Sequence, residues 1–268
     1  MVRVVIHSGF HKTGTTSVQT TARQNAAQLE PHARIFLRAD FPGLTEAARS
    51  YSITRKPHAL EQVYSEAEAF IDKLDRSDTR PVALLSEDLS GHLPGRHDIA
   101  DYGAAPAVMA QLAAAAVAVL GADVGLHFHL STRAADPWFR SAYWQILRSA
   151  RRTEGPEDFA RLFASAADFD AVVAAIAAAV DPYPVKAVAL ETLRDAPQGP
   201  ITPLLDMLDI PPDTRAAMVP SSPANVRPDG LDDVFLALNR CGLPDGKVTA
   251  LKKTALRMAR RMQAKSAS

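Results

Sequence analysis

Residues Gly9 to Ser17, GFHKTGTTS, place two glycines, one lysine and three threonines between an apolar run and a helical one. Gly9 and Gly14 stand at the G-x-x-x-x-G spacing at which glycine lets successive backbone N–H groups turn around an anion. The run before them, Val2 to His7, is β-branched and apolar and suits a buried strand. The run after them, Thr15 to Glu30, reads as a helix, whose N-terminus adds unpaired N–H groups and a positive dipole end. Strand, glycine loop and helix together make a phosphate-binding loop. In ATP and GTP loops a lysine and then Ser or Thr follow the second glycine, and that hydroxyl holds Mg²⁺. Here Thr15 and Thr16 follow Gly14, and the lysine lies inside the loop as Lys12.

A second group of polar residues follows the apolar run VGLHFHL, Val124 to Leu130. In STRAADPWFRSAYWQ, Arg133 comes just past that strand and Ser141 eight residues later, inside the next helix. Arginine offers a planar charged fork to phosphate oxygens, and serine adds a hydroxyl donor. Ligands of open α/β sheets bind beyond the carboxyl ends of strands, which suits this position. Arg140 is a competing cation, but its place in the helix fits solvent or a salt bridge better.

The HKTGTTS loop and the Arg133/Ser141 pair resemble the two cofactor motifs of sulfotransferases, which use 3′-phosphoadenosine 5′-phosphosulfate. The likeness is to the bacterial and carbohydrate-type variants, in which His replaces the proline of the cytosolic PKSGTTW form. It implies that Lys12, Thr13, Gly14, Thr15 and Thr16 bind the phosphosulfate and that Arg133 and Ser141 bind the 3′-phosphate. It also implies a three-layer α/β domain of the P-loop type, with a mainly parallel central sheet and helical insertions. Two weaker likenesses follow. The stretch KAVALETLRDAPQGPITPLLDMLDIP resembles a late strand, Glu-x-Leu and short helix, with Glu191 orienting its neighbours. Arg227, in ANVRPDG, stands where the family carries an arginine-glycine loop that touches the 3′-phosphate, although the usual R-K-G form is absent. The resemblance spans Val2 to about Gly230, with specific matches only in the two cofactor motifs.

Sulfuryl transfer needs stabilisation of the leaving oxygen, which Lys12 and the loop N–H groups can supply. It also needs a base for the acceptor hydroxyl. Glu87, ending the apolar run PVALLSE, is the candidate catalytic base, and several carbohydrate sulfotransferases use a glutamate where cytosolic ones use histidine. Asp88 and His92 are rivals directly downstream. His7 and His11 flank the loop, while His127 and His129 share one face of their strand at period two. Two histidines without a nearby carboxylate or cysteine make no zinc site, and no metal is expected.

The other elements follow from periodicity. Strands are expected at Ala33 to Arg38, Pro81 to Glu87 and Val185 to Glu191, and helices at Ala59 to Leu74 and Ala105 to Leu120. Asp136-Pro137 reads as an N-cap and first helical residue for a helix from Trp138 to about Arg152. Further helices are expected at Pro156 to Ser165, Phe169 to Val180 and Leu204 to Leu208, and loops at Asp40 to Pro57 and Gly91 to Gly103. No internal repeat or long linker divides the chain, so residues 1–268 read as one domain.

A hydrophobic content of 47% and a charged content of 22% describe a globular protein with ample core. Net charge is zero, so the overall balance does not point to nucleic acid. Cys241 is the only cysteine, which excludes an intrachain disulfide and a cysteine cluster. With no signal-peptide pattern and no long apolar run, the chain reads as soluble and cytoplasmic. Residues 247–265 form a basic amphipathic helix, with Val248, Leu251, Ala255, Met258 and Met262 as its apolar stripe. That helix either docks with a solvated basic face or touches an acidic membrane surface or anionic substrate. The reading for the whole chain is a sulfotransferase acting on a hydroxyl or amine of a small-molecule or carbohydrate acceptor. Its alternatives are a nucleotide-dependent kinase and a non-catalytic nucleotide-binding or scaffold protein; oligomeric state is open.

Overall fold

The computed structural model describes residues 2–220 and 230–266. Strands β1 (Arg3–His7), β2 (Arg34–Leu37), β3 (Val82–Leu85), β4 (Gly125–Thr132) and β5 (Val185–Ala189) form one sheet in the order β2-β3-β1-β4-β5. Every pairing among them is parallel. Parallel neighbours need crossovers, and helices supply them. Helices α1 (Thr15–Gln24) and α2 (Ala26–Leu29) follow β1, α3 (Pro42–Thr54) and α4 (Pro57–Ile71) follow β2, and α5 (Ala105–Leu120) follows β3. Between β4 and β5 lie α6 (Ala135–Ser149), α7 (Pro156–Leu162) and α8 (Phe169–Ala179). The chain continues through α9 (Thr202–Met207), α10 (Pro212–Ala216), α11 (Leu231–Arg240) and α12 (Asp245–Ser266).

Side chains alternate across each strand, so the sheet has two apolar faces. Val5, Ala83 and Leu85 pack with Val18, Ala22 and Leu204 on one face. Val4, Ile6, Leu84 and Phe128 pack with Val63, Leu112 and Trp138 on the other. This is the three-layer α/β architecture that the apolar strands and intervening helices imply. The connection leaving β1 runs over one face, while those leaving its neighbours β3 and β4 run over the opposite face. Such divergence opens a crevice at the carboxyl end of β1, where the glycine loop sits.

Several local expectations are corrected. The helix expected from Thr15 to Glu30 breaks at Asn25, a buried residue whose amide donates to the carbonyls of Thr21 (2.8 Å) and Val219 (2.9 Å). The Asn25 carbonyl also accepts from the Val219 N–H at 2.7 Å, so a distant backbone replaces helical continuation. The segment Asp40 to Pro57, expected as a loop, contains α3. Its Pro42 takes the first helical position, and Leu44, Ala47, Ala48 and Ser52 form a buried stripe of mostly small residues. Helix α6 begins at Ala135, so Asp136 lies within its first turn and Ala134 takes the N-cap position. The Ala134 N–H donates to the Glu191 carboxylate at 3.2 Å instead.

The basic helix α12 docks through a different face from its expected stripe. Val248 and Lys252 are buried, and Ala255, Leu256 and Ala259 pack on the core, whereas Leu251, Met258 and Met262 are exposed. Lys252 Nζ donates to the carbonyls of Leu147 (2.7 Å) and Ala150 (2.9 Å), placing a cation on the last carbonyls of α6. No helix among the described residues is long and apolar enough to cross a membrane. Lys252→Met should therefore cost about 1.5–3 kcal/mol, the range for hydrogen bonds to a charged group. Lys253→Met, on the exposed side, should stay within about 0.5 kcal/mol of wild type in urea unfolding. Equal effects of the two changes would show that the helix is not held through Lys252.

Candidate functional site

The loop is held by its carbonyls. Phe10 O accepts from Thr13 Oγ1, His11 O from Trp138 Nε1 at 2.8 Å, and Lys12 O from Arg133 Nη1 at 3.0 Å. A trans peptide points its N–H opposite to its carbonyl, so the N–H groups of His11, Lys12 and Thr13 face away from these three partners. They join the unpaired N–H groups at the start of α1. Gly9 is required by close packing: a Cβ there would lie 2.1 Å from Ser131 Oγ and 2.8 Å from Thr15 Cγ2. Gly14 has φ 96° and ends the loop in the left-handed region. Lys12 adopts φ 67°, a conformation that costs a non-glycine residue about 1–3 kcal/mol and is kept where surrounding contacts enforce it.

An aromatic cluster supports the loop from below. Phe10 is fully buried, with ring centroids 4.7 Å from Tyr102 and 5.0 Å from Phe169, and Trp138 lies 5.8 Å from Phe169.

The structure brings most of the expected residues together. Thr13 and Thr15 are buried, and the Thr13 hydroxyl is engaged by Phe10 O and Ser131 Oγ (2.7 Å), so Thr16 is the exposed threonine. Arg133 is tied to Lys12 O and sits 3.8 Å from Glu191, whose second oxygen receives the Ala134 N–H. Ser141 lies between Trp138 and Gln145 at helical spacings of three and four, on the stripe of α6 that reaches the loop. Arg140 is exposed on another side of that helix. Arg227 lies outside the described residues.

Glu87 follows β3 at the start of a 3-10 turn, is half-buried, and accepts from Gln19 Nε2 of α1. It lies two residues past Leu85, the register partner of His7, and its bond to α1 puts it at the same end of the sheet as the loop. Asp88 is buried and pairs with Arg38 at 2.9 Å and His11 at 3.6 Å. Burial pushes its carboxyl up, but His11, Arg38 and Arg49 outweigh that and hold it below the usual carboxylate range. His92 Nε2 accepts from Arg49 Nε at 3.3 Å, and burial, then Arg49, push this histidine down to about 4.

Three residues of the site were not singled out from the sequence. Gln145 Oε1 accepts from both Lys12 Nζ (3.0 Å) and Arg148 Nη2 (2.7 Å), and Arg96 Nη2 donates to Ser149 Oγ at 2.9 Å. Burial, then Arg148, push Lys12 down to about 8, with Arg96 and Arg133 adding and Glu87 opposing. Gln145 and Arg148 were within reach of sequence reasoning, four and seven residues after Ser141 on one helix face. Arg96 had no such signal, because only the path of the 91–103 loop brings it here. A cluster of cations around an anion-shaped loop is a site for a negatively charged ligand. No group of residues suited to a metal ion occurs among those described.

No protein-family model and no curated protein matches the chain. Among solved structures, it is similar to a sulfotransferase from Alicyclobacillus acidocaldarius, at 16% identity and a TM-score of 0.49, over 93% of this chain and 95% of that one.

Beneath the loop, His7 and His129 are register partners on β1 and β4, stacked with ring centroids 4.6 Å apart. His7 Nδ1 donates to His129 O at 3.2 Å, and both rings are fully buried. Burial pushes His7 down to about 4; burial, then His7, push His129 well below the ordinary histidine value. The unfolded chain takes up both protons near pH 6.5, so it binds more protons than the folded one from there down to about 4. The stability these neutral rings allow is thus complete above pH 6.5 and lost as pH falls, by up to about 2.7 kcal/mol per pH unit for two groups. Urea unfolding at pH 7.5 and 5.5 should show this loss, with His92 adding to it in the same direction, and His7→Asn should lower the slope by up to about 1.4 kcal/mol per pH unit, the share of one group. An unchanged slope in that variant would remove His7 from the account.

Proposed function

We propose that this protein is a sulfotransferase that moves a sulfuryl group from 3′-phosphoadenosine 5′-phosphosulfate to a hydroxyl or amine of a small-molecule or carbohydrate acceptor. The observation that carries this reading is the loop around Lys12. Its carbonyls are tied away by Thr13, Trp138 and Arg133, and its cation lies inside the turn rather than after it. A lysine so placed suits a short anionic group at the carboxyl end of β1 without requiring a metal-holding hydroxyl after Gly14.

In this reading the loop N–H groups, Lys12 and the exposed Thr16 hold the phosphosulfate. Arg133 and Ser141 hold the 3′-phosphate, with Arg227 a further candidate. Arg133 has a second duty, because its Nη1 also restrains Lys12 O. The donor supplies an activated sulfur–oxygen bond. Glu87 takes the proton from the acceptor hydroxyl as that oxygen bonds to sulfur, and Gln19 orients the carboxylate. The bond from sulfur to the bridging oxygen breaks, and Lys12 neutralises the charge left on the departing bisphosphate. Asp88, committed to Arg38 and His11, serves to shape the crevice.

Adenosine 3′,5′-bisphosphate without metal should stabilise the protein more than ATP with Mg²⁺. At about 100 times its dissociation constant the gain should be about 2.7 kcal/mol in a melting experiment. Arg133→Ala should weaken the bisphosphate by about 1.5–3 kcal/mol. Equal stabilisation by ATP with Mg²⁺ and no preference for the 3′-phosphate would favour a kinase instead. Once an acceptor is in hand, Glu87→Gln should bind the bisphosphate normally and lose about 10²–10⁴-fold in turnover. Unimpaired turnover in that variant would pass the base role to another residue.

A further inference from the structure

The crevice holds more positive charge than the loop itself needs. Lys12 and Arg148 share a single neutral acceptor, Gln145 Oε1. Arg96 reaches the neighbouring turn of α6 through Ser149. Arg260, exposed on α12, acts electrostatically on Arg148, as does Arg96. None of Arg96, Arg148 and Arg260 is in ion-pair contact with a carboxylate among the described residues. Beside them lies a cavity of about 620 Å³, lined by Gly95, Arg96, His97, Asp98, Ser149 and Arg152, among others. That volume is in the range of small-molecule sites. Arg152 is occupied by Gly95 O and Glu154, and Arg151, also lining it, by Cys241 O, Leu243 O and Asp245. Arg96 is the cation left to face a ligand there, with exposed Asp98 as a counter-charge.

We propose that the acceptor itself carries an anion, a carboxylate, sulfate or phosphate, gripped by Arg96 and Arg148 beside this cavity while its hydroxyl lies beside Lys12. This rests on the reading above that an acceptor enters next to Lys12. Guanidinium forks suit carboxylate, sulfate and phosphate oxygens, and two of them from different elements make a site that a neutral molecule would leave uncompensated.

The test uses the full chain saturated with adenosine 3′,5′-bisphosphate, titrated at constant ionic strength with glucuronate, glucose 6-sulfate or glucose 6-phosphate, each against glucose. The three anionic sugars distinguish which oxyanion is preferred. At least one should bind about ten-fold more tightly than glucose, the gain expected of a charge-assisted contact. Arg96→Gln, at a partly exposed position, should erase most of that preference and leave bisphosphate affinity within about two-fold, less than one hydrogen bond to a charged group. No preference for any anionic sugar, or a preference intact in Arg96→Gln, overturns the proposal. So does a loss of bisphosphate affinity in Arg96→Gln as large as in Arg133→Ala, which would assign these arginines to the donor. If the bisphosphate itself does not bind, the sulfotransferase reading fails, and the sugar titrations on the free protein still report on the arginine cluster.

Discussion

Everything at the carboxyl end of β1 depends on three consecutive carbonyl groups being held in place. Thr13, Trp138 and Arg133 take the carbonyls of Phe10, His11 and Lys12 in turn. The planarity of the peptide then decides where the N–H groups go. The three donors come from the loop itself, from helix α6 and from the end of β4, so the turn is braced against two separate parts of the fold. This bracing is what lets Lys12 stay at a positive φ without glycine's freedom. The buried Phe10 and its aromatic neighbours provide the floor against which the turn is pressed.

The distribution of charge follows the same geometry. A chain with no net charge concentrates cations in one crevice, and the carboxylates nearby are divided between two roles. Asp88 is locked between Arg38 and His11, whereas Glu87 has one amide partner, on α1, among the described residues. Two adjacent acids thus acquire different environments because both lie in the 3-10 turn that follows β3, which gives each a different set of neighbours. Electrostatic preorganisation of this kind costs folding stability and is compensated by the two apolar layers of the sheet.

Much of this was legible in the sequence, and the exceptions have physical reasons. The apolar strands, the glycine loop and α5 follow from periodicity and residue type, because burial on both faces leaves a strong pattern. Helix α3 was hidden by Pro42, Gly43 and a buried stripe made of small and polar residues, which resembles loop composition. The break at Asn25 depends on Val219, nearly two hundred residues away, and no local pattern encodes it. On α12, the stripe of Leu251, Met258 and Met262 suggested a buried face, but the long stem of Lys252 covers the core there and carries its amine to α6. In the candidate site, Lys12 and Thr16 could be named from the glycine loop, and Arg133 and Ser141 from the resemblance of their stretch to a cofactor motif. Arg96 could not, since the 91–103 loop reaches α6 only through tertiary packing.

Helix α6 is a ruler. One end is pinned to the loop by Trp138 and the other is clamped by Lys252, and between them run Ser141, Gln145 and Arg148. A helix advances about 1.5 Å per residue, so Ser141 and Arg148 are separated by about 10 Å along its axis whatever the surrounding loops do. A molecule gripped at the far end of this ruler would present to the loop only those of its atoms lying at the matching distance from its grip. Regiochemistry would then be set by the length of a helix, and lengthening or shortening α6 by one turn would redirect the chemistry to a different position on the same molecule.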